Sequence, residues 1–475
     1  EFRNSLPDID LDFPHYLRNE VFLKLYQKWG NKIARISNHN YYHKKSALRE
    51  SLRLNGIRFF ISKYNLTSFI KSLPVDKQLK IINSQRDLEG TFKGFSLHCG
   101  GIIYFDKEIE DDNIIHNNSV IKQVTYNKED ISKLKMFKID ILSSRALSQL
   151  YFCNDKKLVD FNKYVDDQKT INLLQNGENI GITLLETPLM KKALLLVKPK
   201  NIYDLAIVLS IIRPAAKDAK LNYNSTSNEN HIIFDDDIIT VFCKLLSCSE
   251  SFADKIRRGF QKGDKESIDI VKSKIKLQPK NLQEYLIKVL KNIKKYSFCK
   301  SHALSYAQLV WNLAFFKANH PQKFWKSTLK HISSYYRKWV HLYEAFQYNV
   351  FPNKDKSIFS IKKQQNIDFI DDPIQQLRLF GYWKFTDKFF PNCYLNKDKE
   401  KYYFRGLIAS SKVLKWKNKL MTFYIGVEKG KYIDILVEGD FYYDSRKIII
   451  FGYGKQKIDG LYDTIECESS NITLI

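Results

Sequence analysis

The stretch LPDIDLDF, residues 6–13, most constrains what this chain can fold into. Acidic and apolar residues alternate in it, and successive side chains of a β-strand point to opposite faces. Ile9, Leu11 and Phe13 then face one way, and Asp8, Asp10 and Asp12 the other. Neighbouring ionised carboxylates repel, so such a face needs positive charge beside it. Divalent metal ions, which take oxygen ligands, meet that need. A solvent-facing edge strand whose charges prevent aggregation is the alternative.

The rest of the chain is basic. Lys and Arg number 77 against 52 Asp and Glu, a formal net charge of +25. Such an excess speaks to partners rather than to fold, and points to a polyanion, nucleic acid ahead of membrane. Compositional drift accounts for abundant lysine but not by itself for the shortfall of glutamate. Aromatic residues make up 14% of the chain, so stacking platforms for bases are plentiful. A length of 475 residues implies several domains. No apolar run reaches the ~18 residues of a membrane span, and no signal peptide is visible. The seven cysteines are scattered and form no CxxC pair. Reduced thiols and a cytoplasmic protein are expected, without a zinc site or a disulfide framework.

Along the chain, Tyr16–Trp29 reads as an amphipathic helix closed by Gly30. Residues 43–58 place Leu48, Leu52 and Ile57 inward and Lys45, Arg49 and Arg53 outward, a cationic face or a plain solvated one. FSLHCGGIIYF (95–105) is a turn and a short strand, in which Gly100 and Gly101 permit close backbone approach. In KLKMFKIDIL (133–142), Ile139 and Ile141 mark a buried strand with Lys138 and Asp140 on its other face. A buried acid is costly unless paired or metal-bound. Lys138 neutralises Asp140 on one reading; on the other, Asp140 joins Asp10 and Asp12 at a metal site and Lys138 meets a phosphate.

Residues 166–345 read as mainly helical. Arg257 and Arg258 are adjacent, and on a helix they diverge by about 100°, so they can grip two oxygens of one polyphosphate or line a solvated basic turn. Lys300 and His302 start a long aromatic helix. Residues 346–400 lose periodicity, and 401–458 contain short strands suited to a small barrel such as an OB-fold.

In this order the motifs resemble the C-family DNA polymerases, the family of the bacterial DNA polymerase III alpha subunit. LPDIDLDF is similar to the palm signature, KSALRE to the thumb segment that follows, HCGGIIYF to a His-Ala-Gly-Gly stretch and FKIDIL to the second catalytic strand. LLQNGENIGITLLETPLMKKALLLVKP, IIRP, KIRRGFQKGDKE and YSFCKSHALSYA resemble the fingers. The resemblance implies an α+β multidomain chain: a partial polymerase-beta-like palm (1–30 and 95–165), a helical thumb (31–94), helical fingers (166–345), a linker (346–400) and a C-terminal OB-like β-barrel (401–465).

It further implies a template-directed DNA polymerase, a nucleotidyltransferase adding deoxynucleotides to a primer 3′-hydroxyl. Asp10, Asp12 and Asp140 would hold two Mg2+ ions, with Asp8 supporting. Lys138, Arg257, Arg258, Lys300 and His302 would meet the deoxynucleoside triphosphate. Lys45, Arg49 and Arg53 would meet primer-template DNA. Gln376, Leu377, Leu379 and Phe380 resemble a short peptide that docks on the bacterial sliding clamp, and fit one turn of an ordinary helix equally. The family's amino-terminal phosphoesterase-like domain and the palm's glycine-serine motif are missing from the sequence, and RPAA (213–216) replaces Arg-Pro-Gly-Pro. A fragment, one half of a split polymerase served by a separate N-terminal half, and a decayed homologue are the expectations to separate. The competing function is a catalytically inactive DNA-binding subunit.

Overall fold

The computed structural model describes residues 9–57, 66–213, 232–293, 298–331, 336–350 and the strands between 394 and 474, apart from short stretches within those spans. It divides the chain into two units, Glu1–Ser144 and Arg145–Ile475.

Strand periodicity builds the first unit. Its strands are β1 (Ile9–Pro14), β2 (Ile33–Tyr41), β3 (Phe92–Tyr104), β4 (Ile114–Ile115), β5 (Gln123–Val124) and β6 (Lys138–Ser144). They form a six-stranded sheet in the order β1-β6-β3-β2-β5-β4. β1 runs parallel to β6, and β3 runs antiparallel to both β6 and β2. Helix α1 (Arg18–Trp29) covers one face, where Phe22 packs with Ile33, Ile102 and Ile141. Gly30 ends this helix at a φ of 54°, a left-handed conformation that glycine adopts without steric cost.

Helices α2 (Lys44–Leu54), α3 (Leu66–Lys71) and α4 (Val75–Leu88) are inserted between β2 and β3. They share a small core of Leu52, Ile70 and Ile81, with Leu48 and Ile57 packed against it. Residues 33–41, which the sequence reading groups with the thumb, are a strand of the main sheet: their alternation splits Ile33 and Ala34 between the two faces. Helix α5 (Lys128–Lys133), N-capped by Asn127, buries Ile131 with Ala34, Ile36, Ile103 and Val124 on the face opposite α1.

The second unit begins with α6 (Arg145–Cys153), α7 (Gln168–Gln175), α8 (Pro188–Val197) and α9 (Ile202–Ile211). These pack with α14 (Lys300–Asn319), α15 (Pro321–Lys330) and α16 (Lys338–Phe346) around Trp311, Phe324 and Trp325. Ala146, Leu150 and Cys153 belong to this core, so the segment from 145 onward, grouped by sequence with the palm, packs with the helices. A second core joins α10 (Asp235–Leu246), α11 (Glu250–Lys262), α12 (Lys265–Lys276) and α13 (Lys280–Ile293) through Phe242, Ile256, Phe260 and Val271.

C-terminal to these helices lie β7 (Tyr394–Asp398), β8 (Lys401–Trp416), β9 (Lys419–Glu428), β10 (Lys431–Glu438), β11 (Ile449–Ile458), β12 (Asp463–Cys467) and β13 (Ile472–Leu474). They form a seven-stranded sheet, β13-β11-β12-β10-β9-β8-β7, with an additional β11–β8 pairing. All its pairs are antiparallel except β10 with β12.

Candidate active site

The register of β1 against β6 places the acidic residues. Asp10 pairs with Asp140, and Asp12 with Leu142. Residues opposite one another on adjacent strands share a face, so Asp10, Asp12, Lys138 and Asp140 all project from the face opposite α1, where Ile141 packs. Asp10 and Asp12 are exposed, whereas Asp140 is 8% exposed.

Burial of Asp140 is compensated on one oxygen. Lys138 Nζ donates to its Oδ2 at 2.8 Å, and both side chains are buried. Oδ1 is buried and accepts no hydrogen bond. The nearest ring nitrogen, His98 Nδ1, lies 3.7 Å from Oδ1. It cannot donate there, because it already accepts the N–H groups of Gly101 at 2.8 Å and Gly100 at 3.3 Å. Burial pushes the His98 imidazole below its ordinary value against the pull of Asp140, which agrees with a neutral ring protonated on Nε2.

Close packing of strands fixes this arrangement. A Cβ on Gly100 would stand 2.7 Å from the Ile141 carbonyl oxygen, and one on Gly101 would stand 2.4 Å from Ile36 Cδ1. Arg35, inside the apolar run of β2, donates to the carbonyls of His98 (2.7 Å) and Cys99 (3.3 Å) and lies 4.2 Å from the Phe22 ring centroid. Burial, with Arg18 nearby, lowers its guanidinium to about 10, so it stays charged at neutral pH. A lone arginine among apolar strand residues was the available signal for this support, and the sequence reading passed over it.

Among the described residues no three His, Cys, Asp or Glu side chains stand close enough together to hold a metal ion. The Asp10–Asp140 pairing and the unbonded Oδ1 of Asp140 are nonetheless the donor chemistry that a hard cation takes.

On α2, Lys45, Arg49 and Arg53 are exposed, and Arg53 bonds Glu50 one turn away. Asp8 and the peptide Gln376, Leu377, Leu379 and Phe380 lie outside the described residues.

In the second unit the two arginines have different surroundings. Arg257 is buried: Nε and Nη2 donate to Asp254 Oδ1 at 3.0 and 2.8 Å, and Nη1 lies 3.3 Å from both Asp235 Oδ2 and Gln261 Oε1. It is therefore held by its own lobe and is not displayed for a ligand. Arg258, its side chain 59% exposed, reaches Asp254 Oδ2 at 2.8 Å.

The start of α10 ties the other motifs to this pair. Asp236 accepts the Lys300 backbone N–H at 2.8 Å, and Asp237 accepts those of Ile233 and Phe234. Phe234 bridges Phe298, whose ring lies 5.0 Å from the Arg213 guanidinium. Lys300 Nζ stands 5.3 Å from the Tyr203 ring, and His302 is exposed. Segments containing Arg213, Arg257 and Lys300, far apart in sequence, thus meet at one helix start. Sequence reading missed Asp235 and Asp236 because their partners, Arg257 and the Lys300 N–H, are remote, whereas Asp237 caps its own helix start and left a local signal.

Comparison with known proteins gives a class that agrees with this architecture. Residues 1–143 match the bacterial DNA polymerase III alpha NTPase domain, and residues 145–231 the finger domain of the same subunit. The two matches follow one another in the chain and together define its likeness to the bacterial DNA polymerase III alpha subunit. The chain is 25% identical over 436 residues to that subunit of Ureaplasma parvum, covering 80% of this chain and 44% of the relative. It is 24% identical over 381 residues to that of Halalkalibacterium halodurans, covering 68% and 34%. An error-prone DNA polymerase of Vibrio vulnificus is 24% identical over 384 residues, covering 69% and 37%. The chain thus spans less than half the length of these curated relatives. Among the described residues no helix is long and apolar enough to cross a membrane.

Proposed function

We propose that the chain forms the palm and fingers of a template-directed DNA polymerase that adds deoxynucleotides to a primer 3′-hydroxyl. One observation carries this reading: Asp10 and Asp140 stand side by side on one face of parallel strands, and Asp140 keeps a buried oxygen with no hydrogen bond. Adjacent strands lie about 4.8 Å apart, close to the ~4 Å separation of paired catalytic ions, so carboxylates on both can serve one site. Asp10, Asp12 and Asp140 would hold two Mg2+ ions. Bound there, the ions would supply positive charge at the attacking and leaving oxygens.

The chain's own residues do the rest. Lys138 neutralises Asp140 and limits repulsion among the carboxylates. His98, holding its proton on Nε2, leaves Asp140 Oδ1 without a protein donor. Arg258 and Lys300 give the triphosphate its positive surroundings, with His302 beside them, and Arg257 positions Asp254 and through it Arg258. Lys45, Arg49 and Arg53 present charge to primer-template phosphates. In this reading the sheet with α1 and α5 is the palm, α2–α4 the thumb and the helices of the second unit the fingers. The additional β11–β8 pairing supports an OB-like barrel at the C-terminal end. The QQLRLF peptide is proposed to engage a sliding clamp, and the cytoplasm is the proposed location.

A non-catalytic DNA-binding role draws support from the Lys138–Asp140 pair, which satisfies one oxygen without metal. Primer extension separates the two. Asp10→Asn and Asp140→Asn are expected to abolish nucleotide addition while primer-template binding stays equal or tightens. Extension is measured with the chain alone and with the upstream half of a family member supplied in trans. Retained addition by either variant would sink the triad, and failure of the unmodified chain in both settings would favour the binding role.

A further inference from the structure

The end of the sheet remote from the glycine pair carries apolar side chains in solvent. Tyr41, Phe92, Phe95 and Leu97 are 47, 48, 42 and 40% exposed. Simple alternation would send Phe92 and Phe95 to opposite faces, because they are three residues apart. Instead their ring centroids lie 4.9 Å apart. The register shift between Asn40 and Tyr41, opposite Gly94 at a φ of 148°, turns both rings to one side. Such bulges re-aim side chains at functional sites. Tyr41 meets Phe92 at 6.0 Å, and His39 meets Phe95 at 5.2 Å and Phe92 at 6.0 Å, all edge to face. The fold therefore gathers aromatic rings where burial does not reward them.

The charge around the rings is mainly positive, with Asp130 Oδ2 an exception at 3.8 Å from His39 Nε2. Residues 38–49 and 91–98 contain Lys44, Lys45, Arg49 and Lys93 and no Asp or Glu. Lys44, Lys45, Arg49 and Lys93 are exposed, and Lys93 Nζ stands 5.5 Å from the Tyr42 ring. An apolar protein partner would not call for this cationic rim. A chain of phosphates with flat π-faces between them fits both halves of the surface.

We infer that the Tyr41–Phe92–Phe95 patch stacks unpaired bases of a single-stranded nucleic acid, with Lys93 and the α2 lysines taking the flanking phosphates. The bases must be unpaired because a duplex buries their faces against one another. This assignment rests on the nucleic-acid reading above and adds to it a recognition surface away from the carboxylates.

The test compares two fluorescent 12-mers of equal phosphate number, oligo-dT and its fully abasic counterpart, by anisotropy at fixed salt. The unmodified chain should prefer oligo-dT. Phe92→Ala with Phe95→Ala should lose about fivefold or more in oligo-dT affinity, the usual yield of a base–aromatic stack, and leave abasic binding unchanged. Lys93→Ala should weaken both polymers alike. Phe92→Trp, which keeps a π-face, should retain the preference and also controls for folding. An unaltered preference in the double variant would overturn the stacking assignment while leaving the polymerase reading in place. Absence of binding to either polymer would overturn both. Sedimentation showing a dimer that the double variant dissolves would mean the patch serves a second copy of the chain, and would equally overturn it.

Discussion

Two clusters of buried charge, one in each unit, are completed to different degrees. In the helical lobe, Asp254 binds both arginines, Asp235 faces Arg257, and Asp236 and Asp237 take backbone N–H groups. In the sheet, Asp140 has Lys138 on one oxygen and no donor on the other. Buried polar atoms are almost always paired, and those left over call for an explanation. The helical cluster spends its charge on holding itself together. The sheet cluster retains a lone-pair-bearing oxygen that folding does not use.

The largest effect should come from breaking the half-completed cluster. Lys138→Met leaves the Asp140 carboxylate buried with no cation, and should cost about 3 kcal/mol in urea unfolding at neutral pH. Adding magnesium chloride should recover part of that loss, and should recover nothing when Asp140→Asn is combined with it. A loss too small to measure would show that the pair does not balance the buried charge.

A smaller contrast is expected between neighbours in the completed cluster. Arg257→Leu strips Asp254 and Asp235 of a buried donor and should cost about 2–3 kcal/mol. Arg258→Ala, at an exposed pair, should stay within about 0.5 kcal/mol. Equal losses at the two positions would erase the distinction between positioning and displayed arginine.

The mildest test uses acid. Burial alone would raise the Asp254 carboxyl, but hydrogen bonds and charge from Arg257 and Arg258 outweigh it and hold it below 3.8. A depressed carboxyl contributes stability above its unfolded value and loses it as pH falls through the folded one. The melting-temperature gap between the unmodified chain and Asp254→Asn should therefore persist above pH 3.8 and close below it. A gap independent of pH would place its origin in packing.

Much of this was legible before folding, for identifiable reasons. A period of two is a local property, so the opposition of Asp10 and Asp12 to Leu11, and of Asp140 to Ile141, needs no tertiary knowledge. The glycine pair announced a close approach, and β6 supplies it through Ile141. Arg257, expected with Arg258 to meet a polyphosphate or solvent, instead turns inward on the side of α11 that Ala253, Ile256 and Phe260 share. The pairing of β1 with β6 was not legible, because nothing local chooses among strands so far apart. His98 was invisible as a support because its role depends on which N–H groups fill its lone pair. The strand at 33–41 escaped because a short apolar stretch between helices leaves periodicity ambiguous.

The alignment of the carboxylates depends on strand register, and register has no intermediate settings. Sliding β6 by one residue would not move Asp140 slightly; it would exchange Lys138 and Asp140 with Ile139 and Ile141, driving both charges into the core beneath α1. The wall that β3 presents at Gly100 and Gly101 has no slack for such a slip. Errors in this region are consequently all-or-none. A molecule that folds holds its acidic residues in line, and one that misaligns them buries two charges and does not reach the folded state.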